Sequence, residues 1–219
     1  MDASKKSKAH SSSIQVPREH YFHQYDDKNR FINYWYQISY CLELKPASVL
    51  ETGVGNKFVY NYLKTNHFNI KSLDFDPELK PDYTGDIRDF RPGKEFEMVL
   101  CCEVLEHLPL DDLPAALETL SRLSSKYVLI SLPQRILPFL FQLKLPKLPV
   151  LKVFFHLPRL PRVKFSFDGQ HHWELETKGA SKKIIFRHFR ESGFEIVRSD
   201  VYQDDFGHRF ILLKKRGLE

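Results

Sequence analysis

Two short stretches combine carboxylates and imidazoles at spacings that suit proton transfer or metal binding. The first, EVLEH, places Glu103, Glu106 and His107 within one turn, and the second, GQHHWEL, supplies His171 beside another histidine. Converging on one point, these groups can hold a divalent metal that polarises a hydroxyl, or a histidine can take that hydroxyl's proton. A packing role is the alternative, in which Glu106 and His107 cap a helix and Trp173 anchors the following segment.

A second set of residues is typical of a ligand-binding turn. The stretch VLETGVGN puts Glu51, Gly53 and Gly55 directly after a run of apolar residues. Glycines at a strand-to-helix turn let a ligand approach the backbone, although a tight turn without a ligand is equally compatible with this motif. About twenty residues later a second predicted strand ends at Asp74, where a carboxylate can accept both hydroxyls of a ribose.

The elements that would position these residues follow from the hydrophobic pattern. Continuous apolar runs predict strands at 48–53, 70–76, 96–103, 126–133, 194–202 and 209–215. Helical spacing predicts helices in the second half of 17–45, ended by Pro46, and at 56–66, 111–125 and 181–193, the last with Ser181 as N-cap. Alternating helices and strands of this kind indicate a parallel sheet buried on both faces.

The ordered set of motifs resembles the class I S-adenosylmethionine-dependent methyltransferases, in particular type 11/23-like methyltransferase domains. The resemblance rests on ETGVG at 51–55, the strand ending at Asp74, GD at 85–86 and EVLEHLP at 103–109. It covers roughly residues 30–133 and, more loosely, 168–215. It implies a Rossmann-like α/β fold with a seven-stranded, mostly parallel sheet, helices on both faces, and a proline-rich basic insertion, at about 134–167, after strand 5. We expect a single domain over 17–219, preceded by a disordered tail over 1–16.

The same resemblance implies the cofactor, S-adenosylmethionine, and its contacts. It implies that Glu51 orients the amino group of the cofactor and that the backbone of Gly53 and Gly55 lines its homocysteine end. Asp74 would bind the ribose hydroxyls, and Phe75 would lie against the adenine. Asp86 and Ile87 would recognise the adenine edge, and Cys102 would present its backbone near the methionine moiety. A further contact from Tyr34 is possible, although tyrosines at helical spacing also pack. Asn56 stands where nucleotide-binding loops carry a third glycine, which counts against a nicotinamide cofactor because its pyrophosphate needs close backbone approach.

Two analogies bear on the reaction. EVLEH followed by H-x-aromatic-E resembles the 2′-O-methyltransferases of small RNAs and implies Glu103, Glu106, His107 and His171 as metal ligands. The ubiquinone-pathway O-methyltransferases carry a similar E-V-x-E-H motif. Both analogies imply methyl transfer to a hydroxyl oxygen, with Glu103 and His107 as the expected catalytic residues. Positioning alone can also support this displacement without a metal.

The net charge of +5 is concentrated in one segment. No Asp or Glu occurs between Thr119 and Phe167, and that stretch contains nine basic residues; without them, 24 basic and 28 acidic residues remain. Closely spaced prolines predict that 134–167 forms short helices and turns rather than a long helix or central strand. The insertion can be a lid that packs over the cofactor, a contact with a membrane surface or amphiphilic substrate, or a contact with an RNA backbone.

Bulk properties narrow the class of protein. The chain has 219 residues, 42% of them hydrophobic, which suits one domain with a substantial core. It lacks a run of eighteen apolar residues and a secretory signal, and its three cysteines do not suggest a disulfide framework, so we expect a cytoplasmic protein. The favoured function is O-methylation of a small or amphiphilic metabolite. The alternatives are a metal-dependent RNA 2′-O-methyltransferase and a cofactor-binding protein without catalysis; the sequence leaves the oligomeric state open.

Overall fold

The computed structural model describes residues 18–23, 25–91, 93–160 and 162–217, so the predicted tail at 1–16 and Pro161 lie outside the described residues. Within these ranges the α-helices are α1 (His20–His23), α2 (Lys28–Leu44), α3 (Phe58–Thr65), α4 (Leu113–Leu123) and α5 (Lys182–Glu191). The strands are β1 (Val49–Thr52), β2 (Ile70–Asp74), β3 (Tyr83–Thr84), β4 (Phe96–Cys102), β5 (Ser124–Pro133), β6 (Ile136–Leu143), β7 (Leu151–Pro158), β8 (Phe194–Tyr202) and β9 (Asp205–Lys215).

Seven of these strands form one sheet, in the order β3-β2-β1-β4-β5-β9-β8. The strands from β1 to β5 are parallel to one another. Of the seven strands, only β9 runs in the opposite direction, so its pairs with β5 and β8 are antiparallel. The predicted Rossmann-like, mostly parallel sheet is therefore confirmed. Parallel register brings the carboxyl ends of β1, β2 and β4 to one edge of the sheet, which is where ligands bind in folds of this kind.

Each face of the sheet has its own hydrophobic core, because successive side chains of the central strands point to opposite faces. Val99 and Cys101 of β4 pack on the side of α4 and α5, whereas Met98 and Leu100 pack on the side of α2 and α3. Helices on both faces were predicted and are confirmed. None of the described helices is long and apolar enough to cross a bilayer.

The caps of two helices agree with their sequences. The Ser181 hydroxyl accepts a hydrogen bond from the backbone N–H of Ile184, as expected of an N-cap residue. Lys45 ends α2 in a left-handed conformation, directly before Pro46. Cys41, Cys101 and Cys102 are free thiols, in agreement with the expectation of no disulfide framework.

The prediction of short helices and turns for the insertion was wrong. Strands β6 and β7 pair antiparallel along their whole length, from Ile136 opposite Pro158 to Leu143 opposite Leu151. Prolines argue against a central strand, but both strands of a two-stranded sheet are edge strands, where a missing N–H is tolerated. The insertion is a separate β-hairpin, joined to the main sheet between Pro133 and the loop that leads to α5.

Candidate active site

A cavity of about 480 Å³ opens at the carboxyl edge of the sheet. Eleven of the twelve residues predicted as site residues line it: Glu51, Gly53, Gly55, Asp74, Phe75, Asp86, Ile87, Cys102, Glu103, His107 and His171. Glu106, the twelfth, is fully buried beside His107. Sequence patterns from five separate segments thus meet in one pocket of a size typical for small-molecule sites.

The glycine loop after β1 packs closely against other segments of the same chain. Gly53 has a φ of +74°, and a Cβ built on it would lie 2.5 Å from Cγ2 of Val104. Its N–H donates to the carbonyl of Leu73 at 2.9 Å. Gly55 also has a positive φ, and its added Cβ would lie 3.6 Å from the ring of Tyr21. Glycine is therefore required at position 53 by both backbone conformation and space.

Two buried carboxyl groups flank this loop. Asp74 Oδ2 accepts from the N–H of Val54 at 2.8 Å, and its Oδ1 accepts from the N–H of Asp76 at 3.0 Å. Glu51 Oε2 is buried and accepts no hydrogen bond from the described residues. Burial, together with the charge of Asp74, raises the pKa of Glu51 to about 8. An acceptor atom left unsatisfied in this way favours a ligand that brings a donor to Glu51.

The adenine-edge candidates lie where β3 ends. Asp86 receives a bidentate contact from Arg88, whose Nε and Nη2 lie 2.9 and 2.6 Å from its two carboxylate oxygens. The second arm of Arg88, Nη1, donates to Asp112 at 2.8 Å. Arg88, which sequence reasoning missed, thereby fixes the orientation of Asp86 at the cavity wall. Asp112 directly precedes α4, so this ion pair joins the start of that helix to Arg88.

Glu103 belongs to a charged network that no sequence pattern indicated. Its Oε1 accepts from the Ser131 hydroxyl at 2.7 Å, and its Oε2 lies 3.3 Å from Nε2 of His208. Burial alone would raise the pKa of Glu103, but the charge and hydrogen bond of His208 and the hydrogen bond of Ser131 lower it. Glu103 is therefore an ionised carboxylate at the cavity wall.

His208 sits between two carboxylates. Its Nδ1 contacts Oδ1 of Asp205 at 2.5 Å, and the other oxygen of Asp205 accepts from Asn33 at 3.2 Å. Burial opposes the charged form of His208, but Glu103 and Asp205 outweigh it and raise its pKa. The pair of His208 and Glu103 thus forms a half-buried ion pair at the cavity wall, held in place by α2 and β9.

Glu106, His107 and His171 converge as the metal prediction requires, whereas Glu103 is engaged elsewhere. One ligand atom from each of the three lies within 4.8 Å of the others. Both carboxylate oxygens of Glu106 and Nδ1 of His171 are buried without a hydrogen-bond partner among the described residues. Nitrogen and oxygen donors of this kind suit a transition metal or zinc. Metal binding by these residues stays a prediction.

His107 is poised to accept a proton. Its Nδ1 lies 3.1 Å from the carbonyl oxygen of Gln170, and a carbonyl only accepts, so Nδ1 carries the proton and Nε2 carries the lone pair. Burial and the nearby His171 lower the pKa of His107, which keeps the ring neutral at pH 7. The packing alternative is present as well, since Trp173 donates to the carbonyl of Leu108 at 3.1 Å and is buried.

Helices α1 and α2 and the segment between them form one wall of the cavity. Tyr21, Tyr25, Arg30 and Tyr34 all line it, and the guanidinium of Arg30 lies 4.3 Å from the ring centroid of Tyr25. Arg30 and Tyr25 were missed by sequence reasoning, because no motif marks a residue that reaches the pocket from a separate segment of the chain. Tyr34 also lines the pocket, and its hydroxyl donates to Asp26 at 3.0 Å; its contact with a cofactor stays a prediction.

Comparisons with known proteins agree on the fold. No protein-family model and no curated protein matches the chain. Among solved structures, it is similar to magnesium protoporphyrin IX methyltransferase of Synechocystis with bound S-adenosylhomocysteine, with a TM-score of 0.59, 12% identity, and coverage of 85% of this chain and 84% of that one. The chain has the class I methyltransferase fold.

Two further structures support the same statement. The glycopeptide N-methyltransferase MtfA has a TM-score of 0.56 and 13% identity, with 87% of this chain and 91% of that chain covered. The N-methyltransferase NodS of Bradyrhizobium japonicum has a TM-score of 0.55 and 13% identity, with 87% and 89% covered. The names of the first two proteins indicate different acceptors, magnesium protoporphyrin IX and a glycopeptide, so the shared feature is the fold that builds the cavity.

Proposed function

We propose that this protein is an S-adenosylmethionine-dependent methyltransferase that methylates an oxygen of a small or amphiphilic acceptor. One observation carries the proposal. The glycine loop, the buried carboxyl groups of Glu51 and Asp74, and the neutral imidazole of His107 all line the same cavity. The first three suit the cofactor, and the last suits an acceptor hydroxyl.

The cofactor's chemical groups match the groups that line the cavity. Asp74 retains acceptor capacity for the ribose hydroxyls, and the unsatisfied Glu51 Oε2 suits the cofactor's ammonium group. Phe75, which is 42% exposed, offers an apolar surface for the adenine. Arg30 is a cation in the same cavity and suits the cofactor's carboxylate. A sulfonium cofactor has no pyrophosphate, so the absent third glycine does not weaken the match.

The reaction would proceed by in-line displacement. When bound, S-adenosylmethionine would supply its methyl group to the acceptor oxygen and would be released as the neutral thioether S-adenosylhomocysteine. The hydroxyl proton passes to Nε2 of His107, which is the basic nitrogen because Nδ1 donates to the carbonyl of Gln170. The fixed charges of Glu103 and His208 form a polar wall that orients the acceptor.

Equilibrium binding of S-adenosylmethionine tests the cofactor assignment. Asp74→Ala removes the ribose acceptor, and we expect the affinity to fall by about tenfold or more, as the loss of a buried hydrogen bond to a charged group requires. Asp111→Asn is the matched control, because Asp111 is exposed and does not line the cavity. Equal affinity in the Asp74 variant and the wild type would refute the assignment.

The acceptor class is tested with S-[methyl-³H]adenosylmethionine and extract from the source cells. Extraction and nuclease digestion separate the label into organic, small-metabolite and nuclease-sensitive fractions. Label in the organic or small-metabolite fraction supports the proposal, provided His107→Gln abolishes it. Bound cofactor with no label in any fraction would favour the cofactor-binding alternative without catalysis.

A metal-dependent RNA 2′-O-methyltransferase is the second candidate, favoured by one observation. The buried, unpartnered oxygens of Glu106 face His107 and His171, which is the arrangement of an incomplete coordination sphere. These three residues would hold the metal, and a bound metal would polarise the acceptor hydroxyl. Titration with Mn²⁺ alone, monitored by calorimetry, should show binding that Glu106→Gln removes. Nuclease-sensitive label together with this binding would establish the second candidate instead of the first.

A further inference from the structure

The hairpin of β6 and β7 has one completely apolar face. Cross-strand partners lie on the same side of a two-stranded sheet, so alternate pairs share a face. The four pairs on one side are Leu137 with Leu157, Phe139 with Phe155, Phe141 with Val153, and Leu143 with Leu151. All eight side chains are 40–57% exposed, and we call this surface the apolar hairpin face.

The opposite face of the hairpin differs in both composition and burial. It carries the polar pair Gln142–Lys152 and the mixed pair Pro138–His156 beside two apolar pairs, Leu140–Phe154 and Ile136–Pro158, and four of its eight residues are only half-exposed. This contrast indicates that the hairpin packs against the rest of the protein with this opposite face. The apolar hairpin face is therefore exposed, and none of the residues of β6 and β7 lines the cavity; a role of the insertion as a lid stays a prediction.

An exposed apolar surface of this kind needs a partner. An isolated two-stranded hairpin is marginally stable in water, and soluble monomers rarely expose contiguous apolar patches larger than a few hundred Å². The rings of Phe139 and Phe155 are stacked, with centroids 4.9 Å apart, so the surface is a continuous platform rather than scattered side chains.

The charges around the apolar hairpin face indicate the chemistry of its partner. At the hairpin's root, Arg135 pairs with Glu174 and Arg162 pairs with Glu176. At its far end, Lys144, Lys147 and Lys152 make no ion pair with any described residue. A second copy of the hairpin would oppose these lysines with like charge, whereas an anionic surface would neutralise them. Cationic groups beside an aliphatic and aromatic face are the combination that binds anionic lipid surfaces.

We propose that the apolar hairpin face and the lysines at the hairpin's far end dock this protein on an anionic lipid bilayer. The hairpin lies flat at the level of the headgroups, because its two open edges would leave backbone groups unsatisfied in the hydrocarbon core. Docking does not depend on the proposed methyl transfer. It does place the cavity near lipid, since Pro133, which lines the cavity, is only three residues from Ile136, or about 10 Å of extended chain.

Vesicle flotation of the whole protein tests the docking. We expect binding to vesicles made of equal parts phosphatidylcholine and phosphatidylglycerol, and at least tenfold weaker binding to phosphatidylcholine alone. Replacing Lys144, Lys147 and Lys152 by Gln should weaken binding to the anionic vesicles by roughly 100-fold. The matched control replaces Lys28, Lys45 and Lys94, three exposed lysines outside the hairpin, and should bind like the wild type.

A second pair of variants tests the apolar contribution. Phe139→Gln with Phe155→Gln should lower vesicle binding by about tenfold or more. Trp35→Gln with Tyr62→Gln removes two exposed aromatic side chains elsewhere and should leave binding unchanged. Circular dichroism and the unfolding midpoint establish that each variant is folded, without reference to any enzymatic activity.

Three results would overturn the proposal. The first is no difference in binding between anionic and zwitterionic vesicles. The second is binding to a single-stranded RNA oligonucleotide but not to vesicles, with loss of RNA binding in the lysine variant. The third is a concentration-dependent dimer, seen by sedimentation, that the phenylalanine variant abolishes in a protein that does not float with vesicles.

Discussion

Strands β5 and β6 follow one another along the chain and are both rich in apolar residues, yet their surroundings are opposite. In β5 every residue from Val128 to Pro133 is buried, whereas no residue of β6 is. The difference lies in the neighbours. Strand β5 has β4 on one side and β9 on the other, with a helix layer on each face, and β6 has only β7. An apolar run therefore shows that residues favour burial, not that the same chain provides it.

Matched leucine truncations give the largest expected contrast between the two strands. Leu129→Ala in β5 empties a fully buried site and should lower the free energy of unfolding by about 2–5 kcal/mol. Leu140→Ala in β6 removes a side chain that is 54% exposed and should cost less than about 1 kcal/mol. Urea unfolding with equal m-values measures both. Similar losses in the two variants would mean that the hairpin is packed as tightly as the sheet.

The glycine loop at the carboxyl edge of the sheet should also tolerate an added Cβ less well than an exposed turn does. Gly53→Ala forces a residue with a φ of +74° to carry a Cβ 2.5 Å from Val104, so we expect cofactor affinity to fall at least tenfold. Gly179→Ala is the matched control, because Gly179 has a φ of +94° but nothing within 4 Å of an added Cβ. Both variants should lose about 1–2 kcal/mol of stability from backbone strain. Equal cofactor affinity in the two variants would show that close approach at position 53 is unimportant.

Much of the sheet and of its ligand edge was predictable, because both depend on local order along the chain. Apolar runs located six of the seven strands, and glycines or carboxylates at strand ends located the pocket. Strand β3 has only two residues and leaves no period to detect. The hairpin was not predicted, because closely spaced prolines exclude a central strand but are tolerated in edge strands such as β6 and β7.

The role of His208 was not predictable from its local sequence, since Asp205 lies on the same strand but the site residue Glu103 is more than a hundred residues away. One signal existed. Strand β9 runs antiparallel to β5, and Pro133 pairs with His208 in that register. A correct pairing of the last strand would therefore have placed His208 at the carboxyl end of β5, close to Glu103. Predicting the neighbours of each strand is thus worth more for the site than refining strand boundaries.

Burial also creates a pH dependence in the sheet that exposed groups do not share. The pKa of Glu51 is about 8 in the folded protein against an ordinary value of 4.5, so the folded state holds the extra proton between these values. Its contribution to the free energy of unfolding therefore falls as pH rises through this window, whereas cofactor affinity should rise by up to tenfold per unit between about pH 6 and 8. Binding of the cofactor's ammonium group requires the carboxylate form.

Glu51→Gln provides the control for this pH dependence. The amide is neutral throughout, so the affinity of this variant should be low and nearly independent of pH over the same range. Isothermal titration in buffers of different ionisation heat would also count the proton released on binding, which we expect in the wild type alone. A wild-type affinity that does not change between about pH 6 and 8 would show that Glu51 does not contact the ammonium group.

The smallest expected effect concerns the junction between the two regions. Arg162 follows β7 and donates to Glu176 at 3.0 Å, so this ion pair ties the end of the hairpin to the main fold. Arg162→Gln should lower global stability by only about 0.2–1 kcal/mol, because the arginine is partly exposed and Glu176 keeps a hydrogen bond from the N–H of Lys182 at 3.3 Å. Hydrogen exchange should nevertheless quicken in β6 and β7 and stay unchanged in β5. Faster exchange in both regions would show that the hairpin and the sheet unfold as one cooperative unit, and their different burial would then have no counterpart in local stability.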